Sequence, residues 1–122
     1  MLPSERVHEI EIQEFLDASG RSVFAHWFDE LNAVAAARVT VALVRLGQGN
    51  FSNVEGVGAG GYELKADFGP GYRVYFGKDG GRLVILLGGS AKKRQGAAIA
   101  AAQAAWVEYK RRKGGREQGK WH

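Results

Sequence analysis

At 122 residues, 45% of them hydrophobic and 25% charged, the chain has the size and composition of one globular domain, with enough residues for one modest core and too few for two. Seventeen Lys and Arg against thirteen Asp and Glu leave a formal charge of +4, so polyanions or an acidic protein are favoured partners. The absence of cysteine excludes disulfides, thiolate nucleophiles and Cys-based metal centres.

The segment Val7 to Phe15 has Ile10, Ile12 and Phe15 in near-alternation with acidic residues, which predicts a half-buried strand. After Ser19-Gly20, residues Phe24, Trp27, Phe28 and Leu31 recur at i, i+3, i+4 and i+7, the spacing of an amphipathic helix that Ser22 is placed to cap. Asn32 is placed to cap a second helix running through Val34, Ala37, Val41 and Val44 to Gly47, and the short junction predicts a helical hairpin. Arg38 and Arg45 stand seven apart and share one of its faces.

Residues 48–61 are Gly-rich and weakly patterned, which predicts a loop. Three strands follow as an antiparallel meander: Gly61 to Asp67, then Tyr72 to Phe76 after the Gly69-Pro70-Gly71 turn, then Arg82 to Leu87 after Asp79-Gly80-Gly81. Gly88-Gly89 is expected to end the last strand and Ser90 to Gln95 to form a basic connection. An Ala-rich helix follows, with Ile99, Ala102, Trp106 and Tyr109 on one face. The single domain is expected to span 1–113, and the charged, Gly-containing residues 114–122 to be a disordered basic tail.

The expected class is therefore α+β, in the order β-α-α-β-β-β-α, with an N-terminal helical hairpin and a C-terminal helix grouped against a small antiparallel sheet that the first strand joins at an edge by a long return connection. The start Met1-Leu2-Pro3-Ser4-Glu5-Arg6 sets no apolar segment behind a basic end, and the apolar run Leu83 to Leu87 is far shorter than a membrane span. A cytoplasmic chain with no membrane partner is expected. His8, His26 and His122 have no ligand-like spacing to one another or to a carboxylate pair, so no metal or other cofactor is expected.

Taken together, several strings resemble the RelE/ParE superfamily of toxins, and within it the HigB-like, addiction-module killer subgroup of type II toxin–antitoxin systems. They are Trp27-Phe28-Asp29-Glu30-Leu31, Arg45 to Phe51, Tyr62-Glu63-Leu64-Lys65, the hairpin Phe68 to Phe76, Leu86 to Gly89 with Lys92 to Gln95, and Trp106 with Tyr109-Lys110. The resemblance spans roughly positions 24 to 110, and the Gly-Pro-Gly hairpin is its most specific part. It implies a RelE-like fold and a toxin that cleaves messenger RNA at the ribosome. It also implies restraint by a cognate antitoxin, frequently a helix-turn-helix protein, with operator DNA bound only through the toxin–antitoxin complex.

Such cleavage needs a 2′-hydroxyl deprotonated, a crowded phosphorane stabilised and a 5′-oxygen protonated. By the resemblance, Arg73 matches a phosphate-contacting arginine; from the residues alone, it points away from Val74 and is equally placed to pair with Glu63 or Asp67. Lys65 shares that strand face, where family members more often carry arginine, so an ion pair and a site role both stand. Lys92, Lys93 and Arg94 form a second basic group, in the connection where the resemblance implies further phosphate-binding residues, whereas Arg82 lies nearer a turn. The base candidates are Tyr75, which needs neighbouring cations, and Glu63, for which a salt bridge is the competing role. Two further functions fit the same scaffold: inhibition of DNA gyrase without catalysis, and a non-toxic protein-binding module.

Overall fold

The computed structural model describes residues 9–119. Nine elements follow one another: β1 (Glu11–Glu14), α1 (Val23–Asp29), α2 (Ala33–Gly47), β2 (Val54–Gly58), β3 (Gly61–Ala66), β4 (Tyr72–Asp79), β5 (Leu83–Ala91), a 3₁₀ turn (Lys92–Arg94) and α3 (Gln95–Gly119). The class is α+β. Among the described residues no helix is long and apolar enough to cross a membrane. Of the features read from the sequence, Met1 to Arg6, Val7, His8 and His122 lie outside the described residues.

Local chemistry sets the starts of α1 and α2, two consecutive helices joined by a short turn. Ser22 Oγ accepts from the Ala25 N–H at 3.0 Å and Asn32 Oδ1 from the Ala35 N–H at 2.9 Å, so each helix starts with a donor satisfied by the expected cap. The sheet is five-stranded, in the order β1-β5-β4-β3-β2. It is mixed, which corrects the antiparallel expectation: β1 lies parallel to β5, with Ile12 opposite Val84, because the chain returns from the first strand only after the two helices and the meander. The edge position expected for β1 is correct.

A second correction concerns 48–61, where the chain forms the edge strand β2. Val54 pairs with Leu64 and Glu55 with Glu63 before the register shifts near Gly56. Pairing with β3, which comes later in sequence, makes this a strand despite its glycines. Nor does Gly88-Gly89 end β5: Gly88 pairs with Tyr75 and Gly89 with Val74, and the strand runs on to Ala91.

The two helical layers lie on opposite faces of the sheet. On one face Phe24, Val39 and Leu46 pack with Leu64, Val74, Phe76, Val84 and Leu86. On the other, Trp106 and Ala102 of α3 pack with Phe15, Tyr75, Ile85 and Leu87. Each large apolar side chain buried in this way contributes about 1.5–3 kcal/mol, so both layers are needed. The stripe of α2 read from the sequence is not the packed one. Ala35, Val39 and Leu46 face the sheet, while Val34, Val41 and Val44 are exposed. Both stripes are apolar, and the buried one has the small Ala35 and the long Leu46 where the sheet approaches.

Of residues 114–122, expected to be disordered, 114–119 continue α3 and 120–122 lie outside the described residues. Before that, residues 108–113 are anchored. Arg112 Nη1 donates to the Leu16 carbonyl at 2.7 Å, and hydrogen bonds from Arg111 and then Arg112 hold the Glu108 pKa down to about 2. Lys113 Nζ sits 2.5 Å from Asp79 Oδ1, and the Tyr109 hydroxyl donates to Asp79 Oδ2 at 2.6 Å. These two donors, Lys113 first, lower the Asp79 carboxyl below its ordinary value of 3.8. A depressed folded value means that the stabilisation is full above the ordinary value and is lost as pH falls through the lower one. Asp79→Asn should therefore lower Tm at pH 7, and the gap to the parent should close in acid. A gap unchanged at pH 2 would show that the carboxylate charge is not what anchors the helix.

Candidate functional site

The β3–β4 hairpin places Lys65 opposite Arg73 and Glu63 opposite Tyr75, so the four catalytic candidates share one sheet face. This is the face covered by α3. Beyond Arg73 the ladder continues to Ser90 of β5, from which the chain turns at Ala91 into the 3₁₀ turn. The Lys92 N–H donates to the Gly71 carbonyl at 3.0 Å, docking the turn on the Gly69-Pro70-Gly71 bend. Both basic groups read from the sequence thus meet at one corner of the sheet.

They differ sharply in exposure. Lys92, Lys93 and Arg94 are exposed and make no ion pair among the described residues. Arg73 lies on the face opposite Val74, between the two carboxylates its strand position suggested, and is only 4% exposed. Its Nη1 donates to Asp67 Oδ1 at 2.7 Å and to the Tyr72 carbonyl at 3.0 Å. Its Nε lies 3.5 Å from Glu63 Oε2, too far for a hydrogen bond, and is buried without a hydrogen-bond partner. Glu63 is also buried, and its Oε1 accepts from Gln95 Nε2 at 2.9 Å. Lys65 is half-buried and pairs with Glu55 at 2.6 Å.

Tyr75 is fully buried, its hydroxyl 3.0 Å from Ser90 Oγ, which itself donates to the Ala91 carbonyl. The site therefore has two layers. Below lies a packed network of Glu63, Arg73, Tyr75, Ser90 and Gln95; above it are three exposed cations on a short turn. The upper layer is suited to a polyanion, whose phosphates attract cations and release counterions on binding. The lower layer holds one buried positive charge and one buried negative charge next to it.

Sequence reading missed Ser90 and Gln95, because both fall in the stretch read as a connection after Gly88-Gly89. The signal was weak. Only the β4–β5 register shows Ser90 to be the cross-strand partner of Arg73. His26 is exposed on α1, and among the described residues no three His, Asp or Glu side chains are grouped to hold a metal ion.

No family model matches the sequence. Over 73 residues the chain is 42% identical to an uncharacterized protein of Haemophilus influenzae, an alignment that takes in 59% of this chain and 74% of that protein.

Proposed function

We propose that this chain, which belongs to the same family as that uncharacterized Haemophilus influenzae protein, is the toxin of a type II toxin–antitoxin pair. In this reading it has a RelE-like fold and cleaves messenger RNA at the ribosome. The observation that carries the reading is the docking of Lys92, Lys93 and Arg94 on the Gly71 bend, directly beside the buried Arg73. A cytoplasmic cognate antitoxin, expected to be a helix-turn-helix protein, would keep it inactive.

In this reading Lys92, Lys93 and Arg94 hold the RNA backbone, and the buried Arg73 adds positive charge at the reacting phosphate. The 2′-oxygen attacks phosphorus after losing its proton, the P–O5′ bond breaks, and the 5′-oxygen takes up a proton. The products are a 2′,3′-cyclic phosphate and a 5′-hydroxyl. Of the two base candidates Glu63 takes the role, because it keeps a 6% exposed edge whereas Tyr75 has none. Tyr75 instead fixes Ser90 and the strand that carries the turn. Lys65, bound to Glu55, contributes charge from the side.

The test is induced expression followed by primer extension on cellular transcripts. The chain should arrest growth with new 5′ ends in messenger RNA. The variant Lys92→Ala/Lys93→Ala/Arg94→Ala should fold with unchanged Tm and relieve the arrest. In vitro it should flatten the salt dependence of single-stranded RNA binding by about 0.7 for each phosphate no longer neutralised. Intact transcripts accompanied by induction of the DNA-damage response would replace the nuclease by a gyrase inhibitor. Harmless expression without any partner would leave a binding module.

A further inference from the structure

One stripe of α2 faces away from the sheet. Val34, Val41 and Val44 are 61%, 47% and 54% exposed, three of the six large hydrophobics that the described residues leave in solvent. Arg38 and Arg45 flank them on the same side of the helix and form no ion pair among the described residues. The two arginines also line a groove of about 430 Å³ between α2 and the start of the β-meander, where the Arg38 guanidinium lies 4.8 Å from the centre of the Phe68 ring. Valine recurs at seven-residue spacing in this stripe, and so does arginine. The sheet already has its own apolar stripe of α2, so this one does nothing for the core.

We infer that this stripe docks an acidic amphipathic helix of a partner protein. Two turns separate Arg38 from Arg45, about 10 Å along the axis. A facing helix with apolar residues seven apart meets Val34 and Val41, and carboxylates seven apart meet the arginines, the e/g logic of paired helices. A second copy of this chain fits poorly, since it would bring arginine to arginine on a protein of formal charge +4. Nucleic acid fits poorly as well, because the centre of the stripe is aliphatic. The inference takes from the proposed function only that a protein partner exists; it needs no nuclease.

The probe is a labelled synthetic helical peptide of three heptads, with leucine seven apart and glutamate flanking, titrated into the full chain by fluorescence anisotropy. Saturable binding should weaken at least about tenfold in Arg38→Glu/Arg45→Glu. That variant should in turn bind the peptide in which lysine replaces glutamate. The idea is overturned if the charge reversal leaves binding unchanged or if the lysine peptide binds the parent equally well. It is also overturned if a single-stranded RNA oligonucleotide displaces the peptide and loses binding on the same reversal, or if the chain sediments as a dimer that Val41→Lys dissociates. The reversal should leave transcript cleavage intact, and the triple substitution at 92–94 should leave peptide binding intact, so the two readings fail separately. Circular dichroism of each variant should match the parent, since these positions are exposed.

Discussion

Trp106→Ala is expected to be among the most destabilising single substitutions in the chain, costing about 3–5 kcal/mol, the range for a buried aromatic truncated to alanine. Trp106 is 5% exposed, and its ring stacks on Tyr109 with centroids 5.1 Å apart. What fixes its position is a strand residue with no side chain. A Cβ built on Gly77 would lie 2.3 Å from Trp106 Cε3, so the indole rests on the bare backbone of β4. Gly77→Ala should thus cost about 1–3 kcal/mol by overpacking, since a rigid ring on a packed helix cannot swing aside as a flexible side-chain tip would.

The two effects share one cause and should not add. In the Trp106→Ala background the clash is gone, and Gly77→Ala should be nearly neutral or slightly favourable, because alanine restricts the unfolded chain more than glycine does. Urea denaturation of the parent, both single variants and the double variant measures the coupling directly. Additivity within about 0.5 kcal/mol would mean that the ring does not sit on Gly77. The opposite face has the same device: a Cβ on Gly89 would lie 2.2 Å from Trp27 Cε3 of α1. One tryptophan on one glycine therefore seats a helix on each side of the sheet.

These glycines also explain what was hard to read in the sequence. The caps at Ser22 and Asn32 and the bend at Gly69-Pro70-Gly71 were legible because their chemistry is local, settled within three or four residues. Gly88-Gly89 was misread as a strand end because its role is to receive Trp27, some sixty positions earlier in the chain. β2 was missed because only its pairing to β3 makes it a strand. The valines of α2 gave the right helix and the wrong face, since periodicity shows that a stripe exists and not which of two stripes meets the sheet. For the candidate site, residue types and strand partners were legible, and the convergence of Arg73 with Lys92 to Arg94 followed from the meander. The burial of Arg73 did not, because strand alternation gives the face on which a residue lies and not what encloses it there.

That burial makes Arg73 a test of stability as much as of chemistry. Arg73→Ala should cost about 3–5 kcal/mol, because it leaves the buried Glu63 carboxylate facing only Gln95. Asp67→Asn should cost under about 1 kcal/mol although its separation from Arg73, at 2.7 Å, is shorter than the 3.5 Å of the Glu63 pair, because Asp67 is 64% exposed and water takes the place of the ion pair. Environment, rather than distance, decides which partner matters. Replacing both buried charges together, as Glu63→Leu/Arg73→Met, should recover most of the stability, since two well-packed apolar side chains of similar volume avoid the desolvation of an ion pair. Denaturant midpoints at unchanged slope provide the measurement. The double variant then separates structure from activity: it should be stable and yet leave messenger RNA intact, with growth unimpaired. If it is stable and still arrests growth with full transcript cleavage, the Glu63–Arg73 pair is structural only, and the reaction belongs to the exposed cations of the 92–94 turn.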